Sequence, residues 1–250
     1  MNDFDQEGYA CRLEWGWQGA EWAAERGDIL VVVDTLRFST TVITALANGV
    51  SLFPCLEEED ALQVAKQWHA EASGKRSEGC RYTLSPSSYK GAEPGTRVVL
   101  GSRNGAACSR YGERVPYLLI GALLNARAVG GAVTRLMAET GRNVTINPCG
   151  ERWLASNRDG TLRVALEDYL GAGAVLSHIK ADMSPEAKVC ASAFLSNVSE
   201  LESLLIECGS GRELCGRGEK EDVIHAAQLD RYTVVPFLKK GWFVPLEEGK

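Results

Sequence analysis

Residues 29–50 read ILVVVDTLRFSTTVITALANGV, and the fold follows from how that stretch divides. Ile29 to Val33 is an unbroken apolar run, which is what a strand buried on both faces requires. Asp34 ends it. From Ser39 to Asn48 the apolar residues Val42, Ile43, Leu46 and Ala47 fall at helical spacing, and Gly49 supplies a stop signal just beyond them. The stretch is therefore a strand, a polar loop and a helix.

The same unit recurs along the chain. SLFPC (51–55) reads as a strand, EEEDALQVAKQWHAEA (57–72) as an amphipathic helix, TRVVLGS (96–102) as a strand and NGAACSRY (104–111) as the start of a helix. PYLLIGA (116–122) and NVTINPC (143–149) are further strands, separated by the helix NARAVGGAVTRLMAET (125–140). LRVALEDYLGAGAVLSHI (162–179) is expected to be helical, with Glu167 and Asp168 near its start. A long helical stretch runs from Ser184 to about Ile206, and TVVPFL (233–238) is the last strand. Alternation of this kind predicts an α/β fold with a largely parallel sheet. No repeat period and no low-complexity tract interrupts it. One domain over residues 1–250 is expected, with a small C-terminal lobe from about Ser184 as a variant of that arrangement.

Apolar residues make up 45% of the chain and charged residues 24%, an ordinary globular balance. The start, MNDFDQEGYACRLEWGWQGAEW, is acidic where a signal peptide would be basic and then apolar. No stretch reaches the roughly 18 uncharged apolar residues of a membrane span, so a cytoplasmic protein without membrane contact is expected. The net charge of −6 comes without a basic stripe, which argues against a nucleic-acid partner. Eight scattered cysteines read as reduced thiols, and the absence of Cys-x-x-Cys or His-x-x-x-His argues against structural zinc. Trp15, Trp17 and Trp22 suit an N-terminal segment docked on its own core, or on a second subunit in a homodimer.

In open α/β sheets functional loops gather beyond the carboxyl ends of the strands. DTLRFSTT places Asp34, Arg37 and the hydroxyls of Ser39 and Thr40 in one strand-to-helix turn, where free N–H groups and the helix dipole favour an anion. That set suits a phosphate with its metal ion, although Asp34 or Ser39 could equally cap the helix. GSRNGA forms a second such turn with Ser102, Arg103, Asn104 and Gly105. NPCGERW forms a third, with Glu151 and Arg152, and Glu167 and Asp168 follow about fifteen residues later. Mg²⁺ prefers a few carboxylate oxygens with retained waters, which fits Asp34 with some of Glu151, Glu167 and Asp168. The bland alternative puts Glu167 and Asp168 in the first turn of a helix merely to offset its dipole. Cys149 lacks the Cys-x₅-Arg loop of cysteine phosphatases and reads as structural. His69, His178 and His225 fall in no motif.

Six segments, in order, resemble the 2-phosphosulfolactate phosphatase family. They are VVVDTLRFSTTVITALANG, SPSSY, VVLGSRNGA, LLIGALLNARAV, LEDYLGAGA and GSGRELCGRGEKEDV, the last being similar to a Ser-Gly-Arg segment that ends at Asp. The resemblance implies a three-layer α/β/α fold, a Mg²⁺ site and a substrate carrying phosphate, sulfonate and carboxylate groups. Arg37, Arg103, Arg152 and Arg212 are the cations available for so anionic a molecule. The chain departs from the family's Thr-Thr-Thr-Asn-Gly-Thr turn, which here reads Gly101, Ser102, Arg103, Asn104, Gly105 and Ala106. Such a change alters which anion fits before it alters the reaction. The expected mechanism has Asp34 and the Glu167/Asp168 pair holding Mg²⁺ against phosphate, with Arg37 and N–H groups near Ser39 and Asn104 neutralising the remaining charge. A non-catalytic anion binder and a diverged lyase or transferase are the rival readings.

Overall fold

A computed structural model describes residues 4–153 and 160–247. Its main sheet is built from β1 (Cys11–Leu13), β2 (Ile29–Val33), β3 (Ser51–Cys55), β4 (Glu71–Ala72), β5 (Arg97–Gly101), β6 (Tyr117–Ile120), β7 (Val144–Pro148), β10 (Pro236–Lys239) and β11 (Trp242–Pro245), in the order β1-β7-β2-β6-β10-β11-β3-β5-β4. The short strands β8 (Glu151–Arg152) and β9 (Leu162–Arg163) form a separate pair. The groups β1-β7-β2-β6 and β3-β5-β4 are each internally parallel. The β10–β11 hairpin inserts between them, antiparallel to β6 on one side and to β3 on the other. The sheet is therefore mixed and mostly parallel.

Strand periodicity explains the layers. All five residues of β2 are buried, and they alternate between two cores. Ile29, Val31 and Val33 pack with residues of α5 (Ala126–Thr140), α6 (Leu166–Leu176) and α7 (Pro185–Asn197). Leu30 and Val32 pack with residues of α1 (Gly16–Arg26), α2 (Phe38–Ala47) and α4 (Gly105–Tyr111). This is a three-layer α/β/α arrangement, and β2, which has no polar face, is an interior strand covered on both sides. A smaller cluster of Cys55, Ala65 and Val99 seats α3 (Ala61–Trp68) at the far edge.

Beyond Ser184, α7, α8 (Leu201–Glu207), α9 (Gly209–Gly216) and α10 (Lys220–Ala226) follow one another. Leu201, Leu205, Leu214 and Val223 join the same core as Ile29 and Val31, and the chain then returns to supply the middle of the sheet. The hairpin turns at Lys240 and Gly241, whose φ angles of 53° and 81° suit a primed turn. Among the described residues the run 185–207 is long and apolar enough to cross a membrane by length and composition, with 28% of its most apolar window buried.

Several element boundaries differ from the sequence reading. The helix expected over 57–72 begins at Ala61, where Asp60 caps it by accepting from Leu62 N at 2.9 Å, and it stops at His69 in the left-handed region. Glu71 and Ala72 then pair with β5. The helix expected over 162–179 begins only at Leu166, because Leu162 and Arg163 pair with Arg152 and Glu151. The strand expected over 233–238 runs Pro236–Lys239 and is not the last, because the chain turns back at once into Trp242–Pro245. Trp15 stacks on Tyr169 with ring centroids 6.0 Å apart, and Trp17 packs on Tyr111 at 5.2 Å, so two of the three tryptophans dock on their own chain.

Candidate functional site

Asp34 leaves β2 and turns into α2 with its carboxylate fully engaged by backbone. Oδ1 accepts from Phe38 N at 3.0 Å, and Oδ2 accepts from Gly105 N at 2.9 Å. Both donors stand in the opening turns of helices, where N–H groups lack intrahelical partners. One carboxylate thus ties together the loops that follow β2 and β5. Ser39 reinforces the turn, since its hydroxyl accepts from Asp34 N at 2.8 Å, and Thr40 donates to Thr35 O at 2.7 Å. Both hydroxyls are fully buried and shape the loop.

Asp168, on α6, repeats the device. Its oxygens accept from Thr35 N at 2.7 Å and from Gly150 N at 2.9 Å, which brings the loop after β7 to the same place. Glu151 follows that loop and accepts from Asn104 Nδ2 at 3.0 Å; Arg152 Nε reaches Asn104 Oδ1 at 3.4 Å, so the amide is held at both ends. Glu167 is 2% exposed, and among the described residues its Oε2 has no hydrogen-bond partner.

These carboxylates lie close enough to repel. Burial first, and Glu151 next, push the Asp34 carboxyl up to about 7, while the N–H groups of Phe38 and Gly105 oppose the rise. Burial, then Asp34 and Glu167, push the Asp168 carboxyl well above its usual range. Glu151 is also raised, mainly by burial, with Glu167 adding to it. The donor set consists of hard oxygen atoms, and its orphan Glu167 Oε2 and mutual repulsion suit a hard divalent cation in kind. Among the described residues no group of three or more His, Cys, Asp or Glu is gathered closely enough to hold a metal as it stands.

Asp34 forms part of the wall of a cavity of about 510 Å³. Arg37, Ser102, Arg103, Asn104 and Glu151 line it too. Arg152 instead faces two neighbouring hollows, and Arg212 is exposed on α9, while Glu213 and Leu214 of that helix and Arg217 just past its end reach the cavity wall. Sequence reasoning missed Glu57, Glu59, Ser210, Glu213 and Arg217. Glu57 and Glu59 fall in no motif; Ser210, Glu213 and Arg217 lie in the segment GSGRELCGRGEKEDV, from which only Arg212 was singled out, and Glu213 and Arg217 pair at helical i, i+4 spacing.

Every guanidinium on this wall already has a carboxylate. Arg37 NH1 lies 2.6 Å from Asp222 Oδ2 and 3.0 Å from Glu219 Oε2, and its side chain is 11% exposed. Arg103 forms a bidentate pair with Glu57, both bonds at 3.1 Å, and this holds the Glu57 carboxyl below its usual range. An incoming anion therefore meets cations held in place, with their charge partly offset.

A three-layer α/β scaffold that gathers buried carboxylates, helix starts and guanidinium groups around one polar cavity defines an enzyme acting on small anions. The chain belongs to the 2-phosphosulpholactate phosphatase family, whose model matches residues 20–241. It is accordingly a phosphoric monoester hydrolase. It is 30% identical over 235 residues to a probable 2-phosphosulfolactate phosphatase of Symbiobacterium thermophilum, covering 88% of this chain and 95% of that one. Proteins with the same description from Carboxydothermus hydrogenoformans and Gloeobacter violaceus are 29% and 27% identical, covering 83% and 84% of this chain and 84% and 87% of their own.

Proposed function

We propose that the protein hydrolyses the phosphate ester of a small, multiply anionic hydroxy acid such as 2-phosphosulfolactate, with Mg²⁺ as its cofactor. The observation that carries this reading is Asp34, a buried carboxylate fixed by the N–H groups of two helix starts and facing the cavity. Phosphoryl transfer needs little covalent help from a protein beyond positioning and charge stabilisation. Asp34 supplies the fixed carboxylate, either attacking phosphorus itself or taking the proton of an attacking water. Arg37 and Arg103 line the cavity from the loops after β2 and β5 and supply N–H donors to the substrate's oxygens.

Asp34, Glu167 and Asp168, with Glu151 at the rim, would hold the metal. When bound, it would supply electrophilic charge to the phosphate and offset the burial and mutual repulsion that now raise the carboxyls. The substrate's sulfonate and carboxylate call for cations away from the reacting phosphate, and Arg103 lies on the turn where this chain departs from the family pattern.

A panel of phosphorylated hydroxy acids, scored by phosphate release with Mg²⁺ and again with chelator, tests the proposal. Release from 2-phosphosulfolactate that stops on chelation is expected. Tight calorimetric binding of the same compounds with no release under either condition would make the protein a binder and overturn the reading.

A further inference from the structure

Arg37 is held by a carboxylate on α10. Asp222 is 5% exposed, and its two oxygens have different tasks. Oδ2 takes Arg37 NH1 at 2.6 Å, and Oδ1 takes the hydroxyl of Ser85 at 2.7 Å. Ser85 is itself 5% exposed and comes from a third segment; its hydroxyl also lies 2.9 Å from that of Ser87. The carboxylate is thus held from behind while it grips the guanidinium in front. The helix that carries it is fastened to α2 a second time, by His225 Nε2 at 2.9 Å from Thr44 Oγ1.

We propose that Asp222, backed by Ser85, is a positioning residue that presents the Arg37 guanidinium to the phosphate. Two features favour positioning over charge supply. Asp222 and Glu219 together place two carboxylates on one guanidinium, which offsets the charge an anion would seek. In addition, both grip the same terminal nitrogen, NH1, so the planar fork of this cavity-lining residue is oriented by one corner and the bonds to Asp222 and Glu219 use none of its other donors. An arginine ordered before the substrate arrives does not have to be ordered by it. The proposal rests on the phosphatase reading of the same cavity.

The test is a pair of double-mutant cycles read by kcat/KM for phosphate release. Asp222→Asn keeps the shape and the Ser85 contact but weakens the grip, and should lower kcat/KM by about tenfold to a hundredfold. Ser85→Ala should lower it by less, in the same direction. In an Arg37→Ala background both substitutions should have almost no further effect. Millimolar guanidinium should restore part of the turnover of Arg37→Ala, and none to Arg37→Ala/Asp222→Asn. Wild-type kcat/KM in Asp222→Asn, or an equal loss with and without Arg37, would overturn the proposal. Should Asp222→Asn fail to fold, the Ser85 cycle decides in the same way. If the wild type releases no phosphate, the phosphatase reading falls, and calorimetric binding of 2-phosphosulfolactate to the same variants still shows whether positions 37, 85 and 222 are coupled.

Discussion

The carboxylate of Asp168 accepts the backbone N–H of Thr35 at 2.7 Å across 133 residues of chain, joining the start of α6 to the loop that leaves β2. Its other oxygen accepts from Gly150 N at 2.9 Å. Both donors sit in a buried region, so removing the acceptor strands two amides where water has little access. Asp168→Ala is therefore expected to destabilise the fold by about 2–4 kcal/mol, read as a shift of the urea midpoint at constant slope. An unchanged midpoint would mean the two amides find other partners, and that Asp168 does not organise the loops.

Asp34→Asn tests the chemistry at its centre. The two oxygens of Asp34 each face an N–H, and an amide can offer an acceptor to only one of them. Some loss of stability follows, but the surrounding apolar core is untouched and the fold should survive. Turnover should fall by at least about a hundredfold, because the fixed negative charge at the reacting centre is gone. Near-normal kcat with a native circular dichroism spectrum would remove Asp34 from the mechanism.

The same carboxyl makes stability depend on pH in a direction opposite to the usual acid case. Its folded value is raised from 3.8 to about 7, so the native state retains a proton that the unfolded chain has released. The contribution is fully present below about pH 4 and is lost as pH rises through about 7, and Asp168 shifts in the same direction. In metal-free protein the melting temperature of Asp34→Asn should gain on that of the wild type between pH 4 and pH 8. Parallel curves over that range would show that burial and the neighbouring carboxylates do not raise the carboxyl.

Much of this centre could be read without coordinates, and the reasons separate the two parts. β2 was legible because ILVVV has no polar face, and Asp34 because it is the first polar residue after such a run. The strand β1, three residues long, and α1, with its Trp, Gly and Glu content, carry no periodic signal that survives such short lengths. The β10–β11 hairpin is placed at the middle of the sheet by tertiary pairing alone, each strand meeting its outer neighbour at one residue pair. Asp222 stands in sequence only as the Asp that ends the segment GSGRELCGRGEKEDV, with nothing to say what it touches. Only the fold shows that Arg37, 185 residues earlier, is its partner.

Gly105 is a position where the backbone has no room to spare. A Cβ there would lie 2.3 Å from Cδ1 and 2.4 Å from Cγ of Phe38, whose ring is fully buried and packs edge-on against Phe243. Gly105→Ala must push that ring or its own N–H, and the N–H is the one that holds Asp34. A cost of about 1–3 kcal/mol is expected from overpacking. The loss of kcat should exceed what that destabilisation explains at a temperature where the variant is fully folded. Full activity in a folded variant would show that the Gly105 contact does not position Asp34.

Arg103 separates substrate choice from reaction. It stands on the turn after β5 at 46% side-chain exposure, paired with Glu57 at 62%, so neither residue contributes much to folding. Arg103→Ala should move stability by less than about 1 kcal/mol. A guanidinium that binds the substrate's second or third anionic group in ground and transition states alike raises affinity uniformly, so its loss should appear in KM with kcat nearly unchanged. Glu57→Gln should do the reverse, because it frees Arg103 from a competing carboxylate and lowers KM for the most anionic substrates first. The comparison that decides is a doubly charged phosphomonoester against one with additional sulfonate and carboxylate groups. If Arg103→Ala raises KM equally for both, the residue recognises the phosphate itself and not the groups that distinguish one substrate from another.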